Sequence, residues 1–308
     1  MNSNNIITIK DMNSLRSVLG NKEISQEENI NSYTRIFVNE YGVVSKIYVG
    51  NPEFSRKNIE IIKYLLDNRS LLSDRFIAKP ISIIVYKEKT IGYTMPYVSG
   101  VTLQEYLSSS FVSRESRATA LCSLGKALNS LPSNVHIGDL HAQNVIVQPC
   151  EEIRVIDVDG FYVEGLHRMT CPLDYLLEDE KEQLPAKYHT DNGEIIISSE
   201  SDLLCYTLII LNYLLGNYNY LSLSKDDRVR YLRFINKRGL DKDIVLSIHS
   251  VLFSNRKNQW YDLLRLKQSL TEADIDSFSY SSFMNRSKWS ISREQRAKRK
   301  LSQYINNY

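Results

Sequence analysis

Two short patches rich in β-branched and aromatic residues predict a β-hairpin in the first fifty residues. Residues 32–39 (SYTRIFVN) and 43–49 (VVSKIYV) flank the turn-forming Glu40-Tyr41-Gly42. Patches of this kind, parted by a short break that contains glycine, are typical of paired strands. For residues 1–18 we expect little structure or a brief helix.

One helix and a second pair of strands follow this hairpin. Ile59, Ile62 and Leu65 lie at helical spacing after Pro52, which predicts an amphipathic helix over residues 52–67. Residues 77–98 alternate like two strands joined by a turn at residues 87–89.

The rest of the chain is mainly helical in pattern. Apolar residues recur at helical spacing in residues 117–131, and residues 201–216 predict a very apolar helix. Two or three amphipathic helices follow through Leu270. The whole pattern predicts an α+β fold, with a small antiparallel sheet followed by a larger helical part.

The stretch 136–163 (HIGDLHAQNVIVQPCEEIRVIDVDGFYV) concentrates the candidate chemistry. Two Val/Ile runs in it flank a polar break, which predicts a hairpin that brings Asn144 beside Asp157, with Asp139 just ahead. A carboxylate and an amide side by side can hold a hard divalent ion, and a further carboxylate can take the proton of a hydroxyl. The alternative is a hairpin whose acids are only turn and cap residues.

This stretch resembles the protein-kinase-like superfamily. The kinase pattern H-R-D-L-x-x-x-N places a catalytic Asp five residues before a metal-binding Asn, and the Asp of D-F-G follows across a hairpin. DLHAQN from Asp139 fits that spacing, and DVDG from Asp157 stands in place of D-F-G. His141 is similar to the G-D-L-H form of aminoglycoside and other small-molecule kinases. IDVDGF looks more like diverged bacterial kinases of the eukaryotic-like type.

The resemblance implies a two-lobe kinase fold and a role for each motif residue. Asp139 would orient and deprotonate an acceptor hydroxyl, while Asn144 and Asp157 would hold Mg²⁺. Asp159 would add a metal or water contact. The implied reaction is transfer of the γ-phosphoryl group of ATP to a hydroxyl, with a Ser/Thr protein as the preferred acceptor. His141 keeps a small-molecule acceptor open.

The resemblance also implies that Lys46 holds the α- and β-phosphates and pairs with a helix glutamate. Glu60 lies fourteen residues after Lys46, in the middle of the predicted helix, whereas Glu53 follows too soon after the strand. On these residues alone, a solvated strand lysine at Lys46 and a surface acid at Glu60 would be the better interpretation.

Two further segments fit the resemblance. Met95 to Val98 is similar to the hinge that lines an adenine pocket, which would use the carbonyl of Pro96 and the N–H of Val98. An ordinary edge strand that ends at Pro96 fits these residues equally well. Thr102 would then cap the first helix of the large lobe. Asp202 matches an early helix Asp that binds the catalytic-loop backbone, or it is simply a first-turn acid.

The sequence departs from the kinase pattern at three places, and the first of them favours a pseudokinase as the alternative. The region 24–33, where a Gly-rich loop should close on the phosphates, contains no glycine. Ile137 stands where kinases carry the histidine of the catalytic loop. Gly138 replaces the arginine that often pairs with a phosphorylated activation loop, so activation by that route is not expected.

Composition adds few constraints. The 308 residues suit one large domain or two modest ones, and the net charge of +2 points to no partner class. Four cysteines without paired spacing indicate reduced thiols and a cytoplasmic location. The N-terminus lacks the pattern of a signal peptide, and the longest apolar run, residues 203–215, is too short for a transmembrane segment.

The sequence therefore predicts an ATP- and Mg²⁺-dependent phosphotransferase with three regions. Residues 1–98 would form the small lobe, 99–280 the helical lobe, and 281–308 a basic tail or helix. We expect a protein substrate or partner. The tail could contact nucleic acid, a partner or an acidic lipid surface, although such tails, like the acidic run 178–180, are usually solvated.

Overall fold

A computed structural model of the chain describes residues 5–11, 14, 18–19, 22–23, 34–49, 52–166, 184–190, 196–256 and 260–285. The glycine-free region 24–33, the acidic run 178–180, Cys171 and the basic residues of the tail from Arg286 onward lie outside these residues.

The strands of the first hundred residues build a single sheet. They are β1 (Ile6–Ile9), β2 (Lys22–Glu23), β3 (Thr34–Val38), β4 (Val43–Tyr48), β5 (Ser82–Tyr86) and β6 (Lys89–Pro96). Their order in the sheet is β1-β5-β6-β4-β3-β2. The hairpin predicted around residues 40–42 is confirmed as β3 and β4, and the second predicted pair is β5 and β6.

Two predictions about this sheet are wrong. Ile6–Ile9 is a strand, although residues 1–18 were expected to be weakly structured or briefly helical. It pairs in parallel with β5, so the sheet is mixed rather than antiparallel. The reason is that the partner of Ile6 is Ile83, far along the chain, and a pairing over that distance leaves no local pattern.

The predicted helix over residues 52–67 is confirmed as α1 (Pro52–Asp67). It packs on the sheet with Ile62 and Leu65 fully buried, while Ile59 is also in the core. Burial of this apolar stripe is the main source of stability for such a helix, because isolated helices of this length are marginal in water.

The later helices follow the predicted order. They are α2 (Leu103–Ser108), α3 (Arg114–Asn129), α4 (Ser199–Leu214), α5 (Lys225–Asn236), α6 (Lys242–Phe253) and α7 (Leu263–Glu272). The Thr102 side chain caps α2 in a reciprocal capping box with Glu105, as predicted for Thr102. Helix α4 is buried nearly all round, which explains its continuous apolar sequence.

Short strands connect the helical part to the site. They are β7 (Val101–Thr102), β8 (Val135–His136), β9 (Val145–Val147), β10 (Ile153–Val155) and β11 (Tyr162–Val163). The predicted hairpin is confirmed: β9 and β10 are antiparallel, with Val145 opposite Val155. The N–H of Val155 donates to the Phe76 carbonyl at 2.8 Å, which ties the hairpin to the segment before β5. The chain is thus a mixed α+β fold.

Candidate active site

Strands β4 and β6 present three polar side chains on one face. Side chains alternate along a strand, so Lys46 and Tyr48 point the same way, and Tyr93 of β6 is directly opposite Lys46. All three are buried in the core. A buried ammonium and two buried hydroxyls need hydrogen-bond partners, since leaving them unpaired costs several kcal/mol.

Those partners come from the turn after β10. Asp157 has a left-handed backbone with φ of 65°, which Asp tolerates better than most residues, and a short 3₁₀ turn (Val158–Gly160) follows. The Lys46 ammonium contacts the carboxylate of Asp157 and lies 2.9 Å from that of Asp159. The structure therefore brings Lys46 to Asp157 across 111 positions of sequence.

Asp159 is the centre of a hydrogen-bonded cluster. Its Oδ1 accepts hydrogen bonds from Lys46 at 2.9 Å and from the Tyr93 hydroxyl at 2.8 Å. Its Oδ2 accepts from the Tyr48 hydroxyl at 2.8 Å and from the Asn58 amide at 3.3 Å. A carboxylate has about four acceptor positions, so these four donors use its whole capacity.

The charges of the cluster stabilise one another. Burial alone would lower the pKa of Lys46, but Asp159 and Asp157 outweigh it and raise that pKa above its ordinary value. Burial would likewise raise the pKa of Asp159, yet Lys46 and the tyrosine hydroxyls hold it below its usual range. Burial raises the pKa of Asp157 to about 6, against the opposing effect of Lys46. The lysine is therefore charged at neutral pH, and Asp159 is ionised.

The predicted ion pair between Lys46 and Glu60 is wrong. The ammonium of Lys46 contacts Asp157 and Asp159, whereas Glu60 lies 3.6 Å from Arg56, one turn back on α1. The residue that α1 turns toward the cluster is Asn58. Since successive helix residues are about 100° apart, Asn58 and Glu60 differ by about 200° and cannot share one face.

Asn144 and Asp139 lie at the same end of the hairpin as Asp157. The carbonyl of Asn144 accepts the Ile156 N–H at 2.9 Å, which sets Asn144 beside the residue that precedes Asp157. The Asn144 side-chain amide donates to the Asp139 carbonyl at 3.2 Å. This bond occupies the NH₂ end of the side chain, which leaves its oxygen as the end that can act as a ligand.

Asp202 binds the backbone of the loop that carries Asp139. This carboxylate accepts the N–H of Ile137 at 3.0 Å and that of Gly138 at 3.2 Å. Gly138 has φ of +73°, a conformation that favours glycine over the arginine of the kinase pattern. The contact between Asp202 and the loop, implied by the resemblance, is confirmed.

Asp139 itself faces accessible space. Its side chain is 39% exposed, and it lines a cavity of about 440 Å³ between α2, the loop and α4. The Nε2 of His141 is 3.8 Å from its carboxylate. Burial lowers the pKa of His141, so the imidazole is neutral at pH 7.

Pro96 is the last residue of β6, and Val98 follows two residues later. Pro96 is opposite Val43, and the N–H of Tyr97 donates to the Gly42 carbonyl at 2.8 Å. Backbone groups of successive strand residues point to opposite sides, so the Pro96 carbonyl points away from β4. Val98 is half-buried. Their role as an adenine-binding hinge stays a prediction.

Sequence reasoning missed Tyr48, Tyr93 and Asn58. Tyr48 is two residues after Lys46 on β4, and Tyr93 is directly opposite Lys46 on β6. Because side chains alternate along a strand, both positions could have been predicted to share the face of Lys46. Asn58 has no such local signal, because the rotation of α1 about its axis is fixed by packing.

The chain matches no model of a known protein family, and no curated protein is similar to it in sequence. Within the described ranges, no three or more His, Cys, Asp or Glu side chains group so that they could hold a metal ion by themselves. No helix in the described part of the chain has the length and apolar character needed to cross a membrane.

Proposed function

We propose that the protein is an ATP- and Mg²⁺-dependent phosphotransferase with a kinase-like two-lobe architecture. The observation that carries the proposal is the contact of Lys46, on the sheet, with Asp157, at the end of a hairpin 111 positions later. A lysine that grips phosphates and an acid that holds their metal ion must converge in this way to act on one nucleotide. The small lobe would comprise residues 1–98, the helical lobe 99–280, and the tail 281–308.

Asp139 takes the part of the base in this proposal. Its half-exposed carboxylate lines the cavity, where it can accept a hydrogen bond from an acceptor hydroxyl and receive its proton. The Asp202 contacts fix the loop, and therefore the position of Asp139 relative to the nucleotide. Neutral His141 does not cancel the charge of Asp139.

Asn144 and Asp157 suit Mg²⁺ as ligands. The ion prefers hard oxygen donors, and it is usually bound through one or two protein groups while phosphates and water complete its coordination. An amide oxygen and a carboxylate that lie side by side at the open end of the hairpin match that requirement without a larger cluster of acids. When bound, the ion would offset negative charge on the phosphate oxygens. Adenine would bind against the Pro96 carbonyl and the Val98 N–H.

The acceptor is a hydroxyl on an uncharged group. Among the described residues that line the cavity there is no lysine or arginine, and the polar ones include Gln104, Gln143 and Asn212. Amide groups of this kind pair with hydroxyls and peptide groups. A Ser/Thr side chain of a protein is the preferred acceptor, and a small hydroxylated molecule is the alternative. A cytosolic location belongs to the same proposal, since Cys122 and Cys150 are not joined in disulfides.

A pseudokinase is the second candidate function. Two observations favour it: region 24–33 contains no glycine, and Lys46 contacts the very acid that would have to bind the metal. A chain of this kind would use the same fold as a nucleotide-binding or scaffold module.

Transfer of radiolabel from γ-labelled ATP distinguishes an active phosphotransferase from a pseudokinase. We expect Mg²⁺-dependent label on a generic protein acceptor, on a hydroxylated small molecule or on the protein itself. Asp139→Asn provides the matched control, because it keeps the shape of the side chain and removes the base. Nucleotide binding without transfer would establish the pseudokinase, and absence of both binding and transfer would overturn the proposed function.

A further inference from the structure

Helix α1 contributes an amide where the kinase pattern requires a carboxylate. Asn58 is buried, and its Nδ2 donates to Asp159 at 3.3 Å. Its Oδ1 is also buried, and it meets no hydrogen-bond donor among the described residues. The helix therefore supplies a donor to the cluster but no charge for Lys46.

The two carboxylates that contact Lys46 differ in how firmly they are held. The Asp159 side chain is 2% exposed and has four hydrogen-bond donors around it, three of them from the sheet strands β4 and β6. The Asp157 side chain is 31% exposed, at a residue with a left-handed backbone. A fully satisfied buried group is rigid, whereas a partly exposed one can exchange its partner for another ligand.

We propose that Asp159 is the positioning residue that holds Lys46, in place of a carboxylate on helix α1. The proposal rests on the proposed function. Asp157 can then leave Lys46 to bind the metal, while the lysine keeps a fixed carboxylate and stays aimed at the phosphates. The anchoring carboxylate thus comes from the turn after β10, and Asn58 joins α1 to that turn.

Kinetics of Asp159→Asn test the role on the nucleotide side. Loss of a hydrogen bond to a charged group should raise the KM for ATP by about tenfold. The KM for the acceptor should stay unchanged, because Asp159 acts through Lys46. Equal changes in both KM values, or a fall in kcat alone, would mean that Asp159 serves the fold or the metal instead.

An isosteric exchange supplies the rescue test. Asp159→Asn combined with Asn58→Asp keeps volume and net charge, and it moves the carboxylate from the turn to α1. We expect the KM for ATP of the double variant to be at least about threefold lower than that of Asp159→Asn. Asn58→Asp alone puts two carboxylates within 3.3 Å of each other and should weaken the protein. Absence of coupling between the two positions contradicts the proposal.

Chemical labelling of Lys46 tests whether Asp159 holds the lysine, and it requires no measurement of enzymatic activity. Acetylation by an N-hydroxysuccinimide ester, followed by peptide mass spectrometry, reports how accessible the amine is. Asp159→Asn should increase labelling of Lys46 severalfold, and more than Asp157→Asn does, although both remove one carboxylate contact. The opposite order would overturn the proposal.

These measurements distinguish a failure of the proposed function from a failure of Asp159 as the residue that positions Lys46. A parent protein that binds no nucleotide disproves the proposed function, and the labelling order still tests the anchor. Should Asp159→Asn unfold, as judged by circular dichroism, Tyr93→Phe removes one donor to Asp159 and keeps the buried ring. It should change labelling and the KM for ATP in the same direction by a smaller factor, and no change in either contradicts the proposal.

Discussion

The two halves of the candidate site differ in how they are built. Around Asp159, a carboxylate 2% exposed, the buried polar donors come from three separate elements, β4, β6 and α1. Around Asp139, 39% exposed, the residues come from one loop, and a cavity adjoins them. In terms of the proposed function, the half that holds the nucleotide is preset by hydrogen bonds, and the half that receives the acceptor is open.

This difference separates affinity from turnover. A group that is locked before a ligand arrives costs little reorganisation when the ligand binds, so it contributes to binding and alignment. A group that faces open space acts on whatever enters, and its contribution belongs to the reaction step. Substitutions in the two halves should therefore have different kinetic consequences.

The largest effect is expected in the open half. Asp139→Ala should lower the rate of transfer by roughly 10²- to 10⁴-fold, because it removes a positioned base, and it should leave the affinity for ATP nearly unchanged. Steady-state kinetics with equilibrium binding of ATP measure both quantities. An unchanged rate of transfer in a folded variant would show that Asp139 is not the base.

Asp202, which binds the backbone of the loop that carries Asp139, should make the stability of the protein depend on pH. Burial raises its pKa from 3.8 to about 7, in spite of the two backbone N–H groups that it accepts. Because the pKa of Asp202 is higher in the folded protein than in the unfolded chain, Asp202 stabilises the fold fully below about pH 4. This stabilisation is lost as the pH rises through about 7. Over this pH range the free energy of unfolding should fall by about 4 kcal/mol.

Asp202→Asn removes this titration. The variant should be most destabilised relative to the parent near pH 4, and the difference should shrink as the pH approaches 8. Urea unfolding at several pH values, with the free energies of unfolding compared, measures it. A difference that is constant across this pH range would show that Asp202 keeps an ordinary pKa in the folded protein.

Asp157 is the accessible member of the half around Asp159. ATP with Mg²⁺ at about 100 times its Kd should raise the Tm by about 5 °C, since a ligand that binds only the folded state stabilises it. Asp157→Asn should abolish most of the Mg²⁺-dependent part of that shift. Thermal melts with ATP, with and without Mg²⁺, give the result. Equal shifts in parent and variant would exclude Asp157 as a ligand.

Glu60 should have the smallest effect. It lies 3.6 Å from Arg56 on the helix surface, and Lys46 contacts other carboxylates. Pairs at this spacing contribute about 0.2–0.5 kcal/mol, so Glu60→Gln should change the affinity for ATP by less than about twofold. Calorimetric titration with ATP is sufficient. A tenfold loss would show that α1 contacts the nucleotide site through Glu60 after all.

Much of the local structure is predictable from the sequence. The helix over Pro52–Asp67, the hairpin of β9 and β10, and the Thr102 cap depend on patterns within a few residues of each other. Asp139, Asn144 and Asp157 share that advantage, because one hairpin fixes their relative positions. The contact of Asp202 with the loop was predictable only through the resemblance to kinases.

Tertiary structure decided which charges meet. The sequence determined that α1 is a helix, but the packing of its apolar side against the sheet selected Asn58 rather than Glu60 for the cluster. It likewise determined that Lys46 lies on a strand, whereas the hydroxyls of Tyr48 and Tyr93 and the carboxylate of Asp159 became its surroundings only through pairing of distant strands. Propensity and periodicity act over a few residues. The rotation of a helix and the partners of a buried charge depend instead on the free energy of packing the whole core, to which residues far apart in the sequence contribute together.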